Sequence, residues 1–489
     1  MSLCVRPGND FRSSSSRVHP DPRVLRVIVP VLALLASAPS AGAQQNRSPD
    51  RWQAMAREVL QELVGINTTH SAGSTTVAAA AMRKRLIDAG FPAADVVVIE
   101  HVAKKGNLVA RLRGRNTERK PILLLAHLDV VEANPEDWTL PPFELIEKDG
   151  TFYGRGTADD KDEAAIYVTN LIRMKVEGFV PDRDIIVALT ADEEGGGDNG
   201  VDWLVRNRRD LIDAAFALNE GGGGQLEDGR RISNAVQAAE KKVQNFRLEV
   251  TNPGGHSSRP RPDNAIYELA QALVRIGAFS FPVHLNDVTR AFLERSADLV
   301  DAQTGQAMRQ LLKDENDSRA AEIVARDAQF NSMLRSTCVA TMLEGGHATN
   351  ALPQRARANV NCRILPDADA DRIQSELERV AAVPTLEVTQ VGRAGDSPPS
   401  PVSPEVLGPI ERITKEMWPG VPVVPTMSTG ATDGRYLRNA GIPVYGVSGL
   451  FYGETFSHGM NERVPVDAFY QGQEFLYRLV KALTSRAVS

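Results

Sequence analysis

Three short apolar runs that exit directly into metal-ligand side chains constrain this sequence most. Pro121-Ile-Leu-Leu-Leu-Ala126 runs into His127-Leu128-Asp129. Ile185-Ile-Val-Ala-Leu189 ends in Thr190-Ala-Asp-Glu-Glu194 and then Gly195, Gly196 and Gly197. Ala214-Ala-Phe-Ala-Leu218 ends in Asn219-Glu220 and a run of glycines. Short unbroken apolar runs read as strands buried on both faces, the habit of parallel sheets covered by helices. Helical patterns run from Pro49 to Val64, Val77 to Ala89 and Glu163 to Val176, the last preceded by Gly154-Arg-Gly-Thr-Ala-Asp159-Asp160-Lys161. Strands alternating with helices predict an α/β sheet, whose sites lie at the carboxyl ends of the strands. Glycines beside those ends let other groups approach closely. Three such ends on one sheet edge predict a site.

From Val243 the pattern changes. Phe246-Arg-Leu-Glu-Val250 alternates like a half-exposed strand, and Pro253-Gly-Gly-His256-Ser-Ser258 makes a turn. Asn264 to Ile276 is helical by spacing, and a polar, mostly helical stretch occupies Asp287 to Ser332. Arg357–Ile364 alternates again, with a helix at Asp369–Val380 and a strand near Thr385–Val391. This succession predicts a small α+β domain, residues 241–395, inserted into a catalytic domain formed by 44–240 and 396–489. Gly392 to Pro404 is the return linker. The catalytic layer resumes at Glu405–Met417, Thr429-Gly-Ala-Thr-Asp433, Ile442–Val447 and Ser457-His458-Gly459.

Residues 1–43 read as a secretory signal peptide. Arg17, Arg23 and Arg26 precede an apolar run from Val27 to Ala36, broken only by Pro30, and Ala41-Gly42-Ala43 supplies an A-x-A exit. A membrane-spanning helix needs about 20 apolar residues, more than this run offers. The expected working form is exported, periplasmic or secreted, with no stable membrane span. These 43 residues carry five Arg against Asp10 and Asp21, so the net charge of -6 becomes -9 without them. Such an acidic chain lacks the electrostatic footprint of a nucleic-acid binder, and no nucleic-acid partner is expected.

The three cysteines, Cys4, Cys338 and Cys362, include no C-x-x-C pair, so a metal site here must use His, Asp and Glu. Cys338 and Cys362 fit buried apolar positions as well as they fit a disulfide. Of the eight histidines, His127, His256, His347 and His458 lie beside glycines or strand ends. A hydrolytic metal centre takes imidazole and carboxylate ligands and leaves room for water. His127, Asp159, Glu194, Glu220 and His458 supply that set. Five ligands exceed one open tetrahedral site, so two metals sharing a bridging carboxylate fit better. Asp129 is placed to orient the His127 ring from its other nitrogen. Glu193, pointing differently from Glu194, is free to act as a general base. No G-x-S-x-G elbow, H-E-x-x-H helix or phosphate-binding G-x-x-x-x-G-K-[ST] loop is present.

These motifs, in this order, resemble the di-zinc metallopeptidase family of aminoacylase, carboxypeptidase S, carnosinase-type dipeptidases and succinyl-diaminopimelate desuccinylase. Gly254-Gly-His-Ser-Ser258 belongs to the same pattern, and Trp138 with Pro141-Pro-Phe143 resembles the carboxypeptidase S branch in particular. The resemblance spans Arg51 to the end. It implies a zinc-peptidase-like α/β/α catalytic domain with a ferredoxin-like lid, and two Zn2+ per chain, with Co2+ or Mn2+ as alternatives. One metal would take His127 and Glu220, the other Glu194 and His458, with Asp159 bridging and the Asp159–Asp160 peptide cis. It further implies that His256 stabilises the oxyanion, often from a partner subunit, and that Asn350, Arg363, Gly430 and Arg435 bind substrate. An arginine fork suits a carboxylate. In compact relatives the lid forms a homodimer, and the polar stretch from Asp287 to Ser332 would enlarge that lid. The function implied is hydrolysis of an amide next to a free carboxylate, in a small peptide or an N-acyl amino acid. A non-catalytic binding protein on the same fold is the rival from another class.

Overall fold

The computed structural model describes residues 50–195 and 197–486. The signal-peptide reading lies outside them. Each apolar run is a strand, Ile122–His127, Ile185–Thr190 and Phe216–Asn219, with every residue buried. The first pairs in parallel with both of the others, so the three carboxyl ends lie side by side. Val444–Gly446 continues the sheet in parallel beside Phe216–Asn219, and the antiparallel hairpin Val96–Val102 and Lys105–Leu112 closes the other flank.

Strand side chains alternate between faces, and here they feed two separate apolar layers. Leu124, Ala126, Val187 and Leu189 pack with the helices Arg51–Gly65, Thr75–Asp88, Lys161–Val176 and Val466–Thr484. Leu123, Leu125, Ile186 and Ala188 pack with Gly200–Asn207 and Gly434–Asn439 on the other side. The result is an α/β/α sandwich. Asp50 starts its first helix by accepting from the backbone N–H groups of Trp52 and Gln53, while Gln53 reaches back to the cap. Such capping satisfies donors that a helix start otherwise leaves orphaned.

The inserted sheet has the order Thr337–Gly345, Arg355–Ile364, Lys242–Thr251, Leu386–Val391, antiparallel throughout. With the helices Ala265–Ala278 and Ala370–Ala381 on one face, chain order gives β-α-β-β-α-β, a ferredoxin-like lid. Its strand residues alternate between buried and partly exposed, as a one-sided sheet requires. A disulfide joins Cys338 to Cys362 on the neighbouring strands.

The polar stretch forms four helices, Asp287–Ser296, Ala302–Lys313, Ser318–Val324 and Ala328–Leu334. It packs on the large sheet rather than on the lid sheet. Val288, Phe292, Met308 and Leu311 join the main apolar layer, and Arg295 donates to the Glu411 carboxylate (2.6 Å) and to the Val423 carbonyl (2.9 Å). The amphipathic stripe of a helix states that one face is buried, not which sheet covers it. Among the described residues no helix is long and apolar enough to cross a membrane.

Candidate metal centre

The parallel strands end at one edge, and the candidate ligand side chains follow immediately. His127 closes its strand, Glu193 and Glu194 lie in the turn after Thr190, and Glu220 follows Asn219. Asp159 precedes the helix Lys161–Val176, and His458 lies in the loop before Arg463–Pro465. Ligand atoms of His127, Asp159 and Glu220 lie within 4.8 Å of one another, as do those of Asp159, Glu194 and His458. Asp159 belongs to both groups. Its Oδ1 is 3.0 Å from His127 Nε2 and its Oδ2 is 3.1 Å from His458 Nε2. His458 Nε2 is also 2.7 Å from Glu194 Oε1. The Asp159–Asp160 peptide is cis. Glu193 forms a third group with His127 and Glu194.

Close backbone packing builds this edge. A side chain at position 446 would meet the Glu220 carbonyl at 2.2 Å, so glycine there lets the Glu220 turn sit against the sheet. The His127 ring is fixed through Nδ1, which donates to a carbonyl 3.0 Å away. That carbonyl is the backbone oxygen of Asp129, whereas the Asp129 carboxylate lies 3.8 Å from Nδ1. The carboxylate instead accepts from the backbone N–H groups of Glu193 (3.1 Å) and Glu194 (2.9 Å). Asp129 therefore orients the imidazole with its main chain and the two-glutamate turn with its side chain. The sequence reading of Asp129 as a ring-orienting carboxylate did not contain this division.

Three groups not singled out from sequence complete the support. Arg155 and Glu462, 2 % and 0 % exposed, form an ion pair at 2.6 Å. Arg155 also donates to the Gly459 carbonyl beside His458 (3.0 Å), and Glu462 accepts from the Ala158 N–H beside Asp159 (2.9 Å). One buried pair thus ties the segment of Asp159 to the His458 loop. The third is Asp433, buried between Thr190 and Asn199, with Asn199 Nδ2 donating to it at 2.5 Å. The sequence signals for them are the motifs they stand in or near: Asp433 closes Thr429-Gly-Ala-Thr-Asp433, Arg155 lies in Gly154-Arg-Gly156, and Glu462 follows His458 by four residues.

Burial pushes the carboxyls of Glu193 to about 8 and Asp433 to about 7, and lifts Glu220 well above the usual carboxylate range. Burial would lower His127, but its bond to Asp159 and the charges of Glu220 and Asp159 outweigh that and hold it well above 6.5. The bond to Asp159 lifts His458 to about 9. Carboxyls this crowded hold protons or cations, because like charges resist sharing a buried site. Imidazole and carboxylate donors converging on two overlapping three-residue groups fit a pair of divalent cations.

The remaining predicted residues lie elsewhere. His256 is exposed, in the short strand Gly255–His256 paired with Ala351–Leu352. Its Nδ1 accepts from the Ser258 hydroxyl (2.7 Å) and backbone N–H (3.2 Å), which leaves the proton of the neutral ring on Nε2. Asn350 adjoins it, its carbonyl accepting from Ser257. Arg363 lies in the lid sheet opposite Val243 and Thr337, with its charge felt by Lys241. The Gly430 N–H donates to Ser428 Oγ at 3.0 Å. Arg435 stacks on Tyr436 and donates to its hydroxyl, close enough for its charge to act on Asp433.

A mixed sheet sandwiched by helices, a ferredoxin-like insertion and a cluster of imidazoles and carboxylates at the strand ends define a hydrolase of the metallopeptidase class. The family model described as Peptidase family M20/M25/M40 matches residues 123–482, and the chain belongs to that family. It is 27% identical over 440 residues to the N-fatty-acyl-amino acid synthase/hydrolase of Homo sapiens, covering 87% of each chain. It is 28% identical to aminoacylase-1 of Homo sapiens, covering 76% of this chain and 82% of that one. Among solved structures, the metallo-carboxypeptidase from Sulfolobus solfataricus superposes with TM-score 0.66 at 18% identity, covering 88% of this chain and 99% of that one. Human carnosine dipeptidase 1 gives 0.61 at 15%, covering 88% and 96%.

Proposed function

We propose that this chain is an exported zinc-dependent peptidase that cleaves an amide bond next to a free carboxylate, in dipeptides or at the C-terminus of peptides. The observation that carries the reading is the pair of three-residue ligand groups sharing Asp159, with Glu193 beside them. Zinc held by His127 and Glu220, and by Glu194 and His458, would polarise a carbonyl and acidify a water there. Glu193 takes the proton of the attacking water and returns it to the leaving nitrogen, a role suited to a carboxyl whose pKa burial has raised. The Nε2–H of His256 is available to a developing oxyanion, and Asn350, Gly430, Arg363 and Arg435 are the candidates for holding the rest of the substrate.

The lid offers a surface for a second copy, from which His256 would reach the partner's centre. Its edge strand Thr337–Gly345 exposes Val339, Met342 and Leu343, and the neighbouring helix exposes Tyr267 and Val274. An unpaired apolar edge of this kind invites pairing. The Cys338–Cys362 disulfide supports export, because disulfides persist in oxidising compartments.

A second reading, N-acyl-amino-acid hydrolase, is favoured by the names of the relatives that match most of the chain. Both substrate types end in a free carboxylate. A panel of dipeptides, longer peptides and N-acyl amino acids, scored as kcat/KM, separates them. Glu193→Ala should lower turnover of the whole panel by about 10³-fold with zinc still bound; normal turnover would refute the mechanism. Zinc below one ion per folded chain would favour a non-catalytic binding protein instead.

A further inference from the structure

We propose that Lys105 is a positioning residue for the two-glutamate turn: its ammonium holds the carboxylate of Asp192 and so keeps Glu193 and Glu194 directed at the metal centre. This rests on the metal-hydrolase reading and adds to it a residue from a different part of the chain.

The turn is demanding. The strand Ile185–Thr190 ends, and the chain bends so that ligand atoms of Glu193 and Glu194 come within 4.8 Å of one of His127. The bend includes Asp192, whose φ is 66°. A residue with a Cβ disfavours that left-handed conformation and keeps it only where its surroundings fix it. Here the surroundings act on the side chain. One carboxylate oxygen of Asp192, Oδ2, accepts from the backbone N–H groups of Gly197 (3.1 Å) and Asp198, which closes the loop on itself. The other, Oδ1, lies 2.8 Å from Lys105 Nζ. A side chain at Gly195 would come within 2.3 Å of this Oδ1, so the turn folds directly over the pair.

Both partners are sheltered, the Lys105 side chain 17 % and that of Asp192 4 % exposed, so water does not screen them as it screens a surface ion pair. His70 Nδ1 is 3.7 Å from the same oxygen, but its side chain is 65 % exposed. Lys105 also reaches Asp198 Oδ2 at 3.1 Å, so one ammonium grips both ends of the loop.

The sheet fixes the lysine in turn. Lys105–Leu112 pairs antiparallel with Ile185–Thr190, Leu108 opposite Leu189, and continuing that register by three residues sets Lys105 across from Asp192. The Lys104 carbonyl accepts from the Thr76 N–H (3.3 Å) and the Thr75 hydroxyl (3.2 Å), which anchors the hairpin to the start of the helix Thr75–Asp88. Asn107 Oδ1 accepts from the Ala191 N–H at 3.0 Å. The glutamate turn is thereby held from the hairpin by Lys105 and Asn107, and from the other side by Asp129. Removing the ammonium leaves a buried carboxylate uncompensated, and a buried charge without a partner is driven towards water. Residue 192 would carry the adjoining glutamates with it.

The test compares the full wild-type chain with Lys105→Met, and with Lys105→Met combined with Asp192→Asn. Zinc affinity is read by chelator competition, and kcat and KM on Ala-Phe and N-acetyl-phenylalanine. Lys105→Met should lower kcat about 10- to 100-fold, weaken the more loosely held zinc about tenfold and leave KM within about threefold. Adding Asp192→Asn should recover most of both losses. Asparagine tolerates the left-handed conformation, keeps an oxygen for the Gly197 and Asp198 N–H groups and leaves no unpaired charge at position 192. A role confined to fold stability predicts a lower Tm at wild-type kcat and zinc affinity. That result would overturn the proposal, as would a double variant no better than Lys105→Met. Should Lys105→Met fail to fold, Lys105→Gln, which keeps a polar donor towards Asp192, carries the same two readouts. If wild type cleaves neither substrate, the hydrolase reading falls by itself. The order of zinc affinities, wild type and double variant above Lys105→Met, then still decides the positioning role.

Discussion

At the edge of the large sheet His127 is 3 % exposed and bonded through both ring nitrogens, and the backbone N–H groups of Glu193 and Glu194 are both held by Asp129. In the lid, His256 is exposed and, among the described residues, its side chain bonds only to Ser258, two residues away. The first set is over-determined by contacts from distant segments, while the second is held locally and awaits something to complete it. Pre-organised groups act without reorganisation at the moment of reaction, whereas exposed ones gain their geometry from substrate or from another chain. On the proposed function, the contrast would separate residues that build the centre from residues that are brought to it.

The largest expected effect tests the pre-organised side. Glu193→Ala should lower kcat by about 10³-fold, within the range for losing a general base, at unchanged zinc stoichiometry. A loss of zinc along with activity would make Glu193 a ligand instead. Next is the buried pair that joins the two halves of the edge. Glu462→Ala leaves the Arg155 guanidinium buried without its carboxylate and should cost about 3–5 kcal/mol in a denaturation experiment, with weaker zinc retention during dialysis. If stability falls but zinc is retained as in wild type, the pair supports the fold alone.

On the lid side, His256→Ala should lower kcat about 10²-fold while Tm and zinc content stay unchanged, because its local contacts carry little stability. A matching fall in Tm would erase the contrast. The smallest effect lies where the two regions meet, at Lys241. Its ammonium donates to Ser332, Arg335 and Thr337, yet burial, with the charge of Arg363, lowers it from 10.5 to about 7. Between pH 7 and 10.5 the unfolded chain keeps a proton that the folded chain has released, so this group adds stability as pH rises through that window. Below it both states are protonated and the cost of the buried charge stays constant. Stability of wild type relative to Lys241→Met should therefore climb between pH 7 and 9, and a flat difference would show that the three oxygen acceptors keep the ammonium charged.

Element types were legible in the sequence because they follow local periods. The run Ile185–Leu189 reads as a strand buried on both faces, and the alternation of Arg357–Ile364 as one buried on a single face, and both are strands of that kind. The five ligand candidates were legible because each directly follows such a strand, or lies in a glycine-flanked motif. The helices between Asp287 and Leu334 were legible as helices, but the layer they cover was not, since their stripe fits any apolar face. Cys338 and Cys362 stayed ambiguous until register set them opposite one another.

By itself, then, the sequence determined the strand and helix content, the chemistry of the donor set and the existence of an inserted α+β unit. These are encoded over a few residues, in the alternation and polarity that decide local burial. Tertiary structure alone decided that Glu462 supports Ala158 across 304 positions, that the Asp129 carboxylate faces the Glu193–Glu194 turn, and that Thr68 and Glu194 line one cavity. Those contacts depend on how whole layers stack, and no local pattern carries the relative position of segments hundreds of residues apart.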